Sequence, residues 1–302
     1  MKDRRARNLA AFLVVTLIWG STWLVIKDQV SVVPPAWTVC WRFTVAAAGM
    51  FALAFKRGDP LTLPRRTLVL AAVLGLLQFS ANFQLLYRAE IALTSGVVAV
   101  IYALLLVPNA ILGRIFLGRT TGWRFVAGSA VAICGIALLL VHELRAAPVG
   151  SRVLAGAAMT IAGLICASSA NILQATKALR SVPMLPLLAW AMAIGAGADA
   201  VFASLTVGAP VIDPRWHYLA GVLYLGLAGS VATFPLYFGL IRDWGPGRAA
   251  YNGVAVPVVA MTLSTVFEGY RWTALAAAGS ALALVGLLLA LSRPKTAASP
   301  ST

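Results

Sequence analysis

The sequence predicts an all-α membrane protein of ten transmembrane helices, arranged as two inverted repeats of five helices each. Three observations predict this fold class. The 302-residue chain is 61% hydrophobic and only 11% charged, whereas a soluble domain is about 25% charged and about half apolar. The apolar residues are grouped in stretches of about 20, the length that a helix needs to cross a bilayer. The second half of the chain also repeats features of the first half.

Ten apolar stretches are long enough to be spans, which are numbered here in chain order. They cover approximately residues 8–26, 34–55, 67–87, 91–113, 122–141, 152–175, 184–206, 217–241, 246–267 and 272–291. The segments between them contain charges and turn-forming residues, as in KRGDPLTLPRR. The first stretch continues through Trp19 and Trp23 without a small-residue cleavage site, so we interpret it as a span and not as a signal peptide.

The basic residues predict the orientation in the membrane. With the N-terminus inside, 17 of the 24 lysines and arginines fall in inner segments, six fall in outer segments, and Arg42 lies within span 2. Cytoplasmic loops carry such an excess, so we expect a multi-pass protein of the inner or plasma membrane with both termini cytoplasmic. The formal net charge of +15 then follows from topology, and no nucleic-acid partner is expected.

An internal repeat divides the chain into residues 1–149 and 150–302. Equivalent residues recur at a separation of 149, as in the pairs Pro34/Pro183, Trp41/Trp190, Tyr102/Tyr251 and Pro108/Pro257. Because each half has an odd number of spans, the second half enters the membrane from the opposite side. Inverted repeats of this kind are typical of secondary transporters. Such proteins bind their substrate near the midplane of the membrane and work by alternating access.

Two prolines occupy equivalent places in spans 4 and 9. Proline removes a backbone donor and kinks a helix, and non-helical backbone at membrane depth is tolerated only inside protein or beside a water-filled cavity. We therefore predict that Pro108 and Pro257 act as hinges. The alternative is a static kink, because proline is common in membrane helices.

Polar and aromatic residues at helical spacing form stripes on spans 1, 3, 4, 6, 8 and 9. Polar side chains are costly against lipid, so these stripes are expected to face a central cavity, although helix packing also uses small and polar residues. Aromatic and amide groups suit a small amphipathic or zwitterionic solute. The predicted substrate-binding residues are Trp19, Trp23, Gln78, Asn82, Tyr102, Ser168, Asn171, Thr233, Tyr251 and Asn252.

Two charged residues lie well inside spans, Arg42 in span 2 and Asp199 in span 7. An intramembrane charge is functional by default and should have a partner, and the pair Arg42–Asp199 is one hypothesis. Arg42 could instead cap backbone carbonyls or hold a substrate carboxylate. Glu90 and Glu268 fall near outer ends of spans, where water can reach them.

Enzyme chemistry has little support in the sequence. The three cysteines have no CxxC spacing and the two histidines lie far apart, so neither a metal site nor a cofactor is expected. No HExxH motif and no phosphate loop occurs. A membrane sensor or a channel-like protein without active transport remains the alternative to a carrier, and the protein is expected to be a monomer or a homodimer.

Several segments together resemble the drug/metabolite transporter superfamily, and within it the ten-span carriers of the EamA type. These segments are LIWGSTWLVIK, CWRF, YLGLAGSVATFPLYFGL and the stretch from GPGRAAYNGVAVPVV to FEG. The resemblance implies a central cavity between spans 1, 3, 4, 6, 8 and 9, and the transport of small metabolites, often the export of amino acids. The chain departs from the family at Arg119, where an acidic residue is common after span 4, as Glu268 stands after span 9.

Overall fold

The computed structural model describes residues 2–146, 152–244 and 249–292. This part of the chain contains helices and no β-strand. Nine of the described helices are long and apolar enough to cross a membrane, and a tenth, Asn252–Phe267, is apolar but shorter. The predicted all-α membrane fold with ten helices is therefore confirmed. Residues 246–248, with which predicted span 9 begins, lie outside the described part of the chain.

The helices follow the predicted stretches with small shifts at their ends. Spans 1 to 5 are Lys2–Val30, Pro35–Lys56, Arg65–Ala92, Ser95–Leu117 and Trp123–Ala146. Spans 6 and 7 are Val153–Ala175 and Met184–Thr206. Span 8 consists of Trp216–Leu223, Tyr224–Ala232 and Thr233–Trp244, and spans 9 and 10 are Asn252–Phe267 and Ala274–Leu291. A short helix, Lys177–Arg180, lies between spans 6 and 7.

Local residue choice explains several helix ends. Span 2 begins with Pro35, which is suited to the first helical position because its missing N–H would have no partner there. Span 4 is followed by Gly118, whose φ of 64° is a left-handed conformation that glycine adopts without strain. Span 10 begins after Thr273, whose hydroxyl accepts a hydrogen bond from the backbone N–H of Ala276 at 3.2 Å.

Spans 5 and 10 pack mainly against each other along a seam of small residues. A β-carbon added to Gly128 or to Gly286 would lie 2.3 Å from a backbone nitrogen of the other helix. Gly135 and Gly279 make the same kind of approach one heptad away, with 2.3 and 2.7 Å to the facing nitrogen. Small residues let membrane helices approach this closely, and we call these four positions the glycine seam.

Spans 3 and 8 each contain a π-helical segment, Leu76–Ala81 and Tyr224–Ala232. Each lies beside a glycine in close contact with a neighbouring span. A β-carbon on Gly75 would lie 2.3 Å from the carbonyl oxygen of Ala191 in span 7, and one on Gly226 would lie 2.7 Å from Val45 in span 2. The π-helical turns were not predicted, and such turns occur frequently at functional sites.

The six spans expected around a cavity are connected through contacts of spans 1 and 6 with their neighbours. Span 1 contacts spans 3, 4, 8 and 9, and span 6 contacts spans 3 and 4. Spans 2 and 7 pack against each other and against the π-helical regions of spans 3 and 8, with Phe43, Met50, Phe79 and Met192 fully buried. This arrangement brings the polar stripes of spans 1, 3, 4, 6, 8 and 9 together inside the bundle.

Candidate functional site

Trp19 joins span 1 to span 8. Its indole Nε1 donates hydrogen bonds to the Thr233 hydroxyl at 3.0 Å and to the carbonyl oxygen of Gly229 at 3.2 Å. The indole ring also lies 5.1 Å from the ring of Tyr237. Two residues predicted to bind substrate, Trp19 and Thr233, are thus in direct contact beside a π-helical segment.

Trp23 begins a second group that reaches spans 4 and 3. Its ring lies edge-on to that of Tyr102, with a centroid distance of 5.5 Å. The Tyr102 hydroxyl donates to the Asn82 side-chain oxygen at 3.3 Å, and the Asn82 amide donates to the Gln78 carbonyl at 3.3 Å. Asn82 is fully buried, and the side-chain oxygen of Gln78 is buried without a hydrogen-bond partner.

Asn171 joins span 6 to span 4 next to the proline. Its amide donates to the Asn109 side-chain oxygen at 3.3 Å. Ser168 lies about one turn before Asn171 in the same helix, and its buried hydroxyl has no partner. An unpaired polar group in an apolar interior is costly, so such atoms indicate a place adapted to a polar solute or to water.

Asn252 and Tyr251 lie towards the predicted inner end of the bundle. The Asn252 amide donates to the Thr16 hydroxyl at 2.9 Å, while its own side-chain oxygen has no partner. Tyr251 is 37% exposed. It lines an open cavity of about 730 Å³ together with Arg5, Leu9, Phe12 and Trp244. The other predicted binding residues belong to the contact groups above and not to the lining of this cavity.

Spans 4 and 9 are both irregular before their prolines, in different ways. In span 4 a 3₁₀ turn, Ala103–Leu105, separates two α-helices just before Pro108. Proline has no N–H to offer the carbonyl four residues earlier, which accounts for the break at this place. Pro257 lies inside the helix Asn252–Phe267, and a turn at residues 250–251 precedes that helix. The hinge role of both prolines stays a prediction.

Arg42 and Asp199 do not pair with each other, because span 3 supplies separate partners to both. Asp199 accepts hydrogen bonds from the Ser80 hydroxyl at 2.7 Å and from the Gln84 amide at 2.9 Å. Arg42 donates from Nη1 to the Tyr87 hydroxyl at 3.2 Å and not to a backbone carbonyl. The role of Arg42 as a ligand for a substrate carboxylate stays a prediction.

The predicted outer end is held by contacts that the sequence analysis missed. The Glu268 carboxylate accepts hydrogen bonds from the backbone N–H of Ser95 at 3.2 Å and from the Ser95 hydroxyl, at the start of span 4. Lys27 donates to the carbonyl oxygens of Glu90 and Leu93 at the end of span 3. A carboxylate suits a helix N-terminus and an ammonium group a C-terminus. We call these contacts the outer clasp.

The burial of Glu90 contradicts the expectation that water reaches this side chain. Its side chain is fully buried, and both carboxylate oxygens lack a hydrogen-bond partner. The position near the end of a span suggested hydration, but spans 1 and 4 both pack against the helix that carries Glu90. Across the described ranges, no group of three or more His, Cys, Asp or Glu residues is arranged to hold a metal ion.

Comparison with known proteins finds relatives along most of the chain. The Escherichia coli protein named uncharacterized inner membrane transporter YedA is 29% identical over 286 residues, which are 92% of this chain and 90% of that protein. A probable terminal-alkyne amino-acid exporter of Streptantibioticus cattleyicolor is 29% identical over 304 residues, covering 95% of this chain and 96% of the exporter.

A solved crystal structure has the same fold, with a TM-score of 0.67 at 19% identity, covering 95% of this chain and 96% of that one. The sequence pattern of the EamA-like transporter family matches residues 7–141 and again residues 154–292. The two matches cover each half of the chain almost completely and include every helix that carries the contact groups described above. The chain therefore belongs to the EamA-like transporter family.

Proposed function

We propose that the protein is a secondary transporter that exports amino acids or related small amphipathic solutes by alternating access around a central cavity. The observation that carries this proposal is the set of polar and aromatic contacts inside the bundle, through which Trp19, Trp23, Tyr102 and Asn252 connect span 1 with spans 4, 8 and 9. Polar groups are retained inside a membrane bundle chiefly where they serve a pathway.

The chemistry of these groups supports an amphipathic solute. Indole and phenol rings can stack on an apolar side chain or hold an ammonium group. Amide and hydroxyl groups with unpaired atoms, such as those of Gln78, Ser168 and Asn252, can bind polar atoms without demanding a net charge. The relative named as a probable amino-acid exporter is consistent with this substrate class.

The ends of the bundle support alternating access. The outer clasp ties spans 1, 3, 4 and 9 together at one end, while the cavity beside Tyr251 is open at the other. If the charges orient the chain as predicted, the clasp lies at the outer end and this cavity at the inner end. The glycine seam supports two related halves. Gly128 faces Gly286, and Gly135 faces Gly279. Gly128 and Gly279 are 151 positions apart in the sequence, and so are Gly135 and Gly286, so the seam pairs equivalent residues of the two halves.

Counterflow in proteoliposomes tests the proposal. Vesicles loaded with unlabelled L-phenylalanine or L-threonine should accumulate the labelled amino acid transiently and with saturation, because a carrier exchanges solute across the membrane. Trp23→Ala and Tyr102→Ala should lower the rate severalfold. The matched control is Trp123→Ala, because Trp123 is 71% exposed on the outside of the bundle. Unsaturable flux would indicate a channel, and no flux of any tested amino acid would favour a sensor.

A further inference from the structure

Arg42 is a buried guanidinium that forms no ion pair with a carboxylate of the described residues. Its side chain is 4% exposed, and its Nε is buried with no hydrogen-bond acceptor. Among the described residues, its one hydrogen bond is from Nη1 to the Tyr87 hydroxyl, and none of the ion pairs found there includes it. A buried charge is strongly unfavourable unless it is compensated, so a guanidinium with an unpaired Nε is suited to bind an anion.

The surroundings of Arg42 leave one edge of the guanidinium towards the candidate site. Its carbon atom Cζ lies 4.5 Å from the ring centroid of Phe83 and 5.2 Å from that of Phe43. Nη2 lies 3.7 Å from the point where a β-carbon on Gly229 would stand. Gly229 also supplies the carbonyl that accepts from Trp19. Arg42 is therefore adjacent to the Trp19–Thr233 group, where spans 1, 2, 3 and 8 meet.

We propose that Arg42 binds the carboxylate group of the transported solute, an inference that rests on the proposed function. A guanidinium matches a carboxylate with two parallel hydrogen bonds, and the unpartnered Nε is one donor of such a pair. The aromatic rings beside it can accept the apolar part of an amino acid. The site favours a monoanion over a phosphate, because Lys27, a basic residue of span 1, is already bonded to the carbonyls of Glu90 and Leu93.

The first test uses the unmodified protein and changes the ligand. Counterflow of labelled L-phenylalanine is measured in proteoliposomes with increasing L-phenylalanine, L-phenylalaninamide or 3-phenylpropionate as competitor. The carboxylate-bearing competitors should inhibit at concentrations at least about tenfold lower than the amide, because the amide cannot form a charged pair with a guanidinium. Equal inhibition by phenylalanine and its amide would overturn the inference while leaving transport intact.

The second test changes the residue. Arg42→Gln should weaken inhibition by L-phenylalanine at least about tenfold and leave inhibition by the amide nearly unchanged, so the preference for the carboxylate is lost. Arg42→Lys should retain part of the preference for the carboxylate. The control is Arg88→Gln, since Arg88 bonds to Gln84 and lies over Phe202 away from the Trp19–Thr233 group.

The outcomes separate the inference from the function on which it rests. If Arg42→Gln keeps the full preference, or weakens both competitors equally, Arg42 has only a structural role and the inference fails. If Arg42→Gln does not insert into the membrane, the competitor series on the unmodified protein decides. If the unmodified protein exchanges neither phenylalanine nor threonine, the proposed function fails, and the inference fails with it.

Discussion

At the scale of single residues, the indole N–H of Trp19 connects two spans that must separate or slide if the protein alternates between states. It donates to Thr233 in span 8 and to the Gly229 carbonyl in the same span. The bond is therefore both a structural contact and a potential ligand contact. Kinetics of a variant that keeps an aromatic ring and loses the N–H can distinguish the two.

We expect Trp19→Phe to lower transport efficiency about fivefold, because one buried hydrogen bond contributes about 1 kcal/mol. Proteoliposome flux over a range of substrate concentrations measures this effect. Trp216→Phe is the matched control, since Trp216 is 76% exposed at the start of span 8. An equal loss in both variants would mean that the indole of Trp19 has no special role.

We expect Glu268→Gln to weaken the outer clasp by about 1 kcal/mol, because the negative charge at the start of span 4 is lost while the side-chain shape is kept. In a background without native cysteines, Tyr102→Cys should then react about fivefold faster with an impermeant maleimide added outside. Glu143→Gln is the control, because Glu143 accepts from Tyr270 at 2.9 Å beside the glycine seam. Unchanged labelling would show that the clasp does not limit opening.

Helical spacing in the sequence predicts which residues share a face of one helix, but not which residues of other helices they contact. The stripes on spans 1, 4 and 8 selected Trp19, Tyr102 and Thr233, because helical spacing alone decides which side chains share a face. The partner of Arg42 could not be chosen in this way. Spans 2 and 7 are indeed in contact, but Tyr87 and Ser80 of span 3 reach Arg42 and Asp199 first. That depends on how each helix is rotated, which no single-helix pattern contains.

At the scale of helices, the two proline-containing spans are expected to respond oppositely to the same substitution. Pro108→Leu restores a backbone N–H donor for the Leu104 carbonyl and should convert the 3₁₀ turn to α-helix. Pro257→Leu restores a backbone N–H donor for the Gly253 carbonyl. If the repeats are inverted, the stiffened spans should favour opposite faces. Flux should fall in both variants, and thiol labelling from each side of the membrane should shift in opposite directions.

Pro186→Leu is the control for the proline variants. Pro186 lies in the first turn of span 7, where a missing N–H removes no helical hydrogen bond, so its replacement should alter neither flux nor labelling. Normal flux with unchanged accessibility in both Pro108→Leu and Pro257→Leu would mean that the two prolines are static kinks.

The glycine seam should be intolerant of even one added methyl group. Gly128→Ala and Gly286→Ala are each expected to destabilise the protein by about 1–3 kcal/mol, because the new β-carbon would overlap backbone atoms of the facing helix. Thermal unfolding in detergent measures the loss. Gly197→Ala in span 7 should be neutral or slightly stabilising, since nothing lies within 4 Å of its added carbon. Equal melting temperatures would contradict the close packing of spans 5 and 10.

The positions of the ten spans followed from apolar length, yet the irregular turns inside them did not. Periodicity and composition hardly differ between an α-helix and a π-helical turn, so LGLLQFSANF and LGLAGSVATF both predict uninterrupted helix. The signal that was available is their recurrence in both halves around Gly75 and Gly226. The break before Pro108 was predictable because proline has a specific steric and hydrogen-bonding effect.

At the scale of the whole molecule, the predicted orientation can be read with two reporters. A fusion after Lys295 should report a cytoplasmic location and one at Val149 an external location, because the basic residues are concentrated in segments on the side of Lys295. Both sites lie outside the described residues. Matching readouts from the two fusions would contradict an arrangement of five plus five spans.

The outer clasp has a further consequence, because the first repeat does not carry the same acid at the equivalent place. After span 4, in the place that Glu268 holds after span 9, stands Arg119, an exposed cation that cannot accept a backbone N–H. We therefore expect the closed outer end and the closed inner end of the bundle to differ in stability. For a carrier without a coupling ion, detailed balance makes the ratio of maximal rate to half-saturating concentration equal for efflux and influx. A difference in stability between the two closed ends can then appear only at saturating solute, as different maximal rates of efflux and influx.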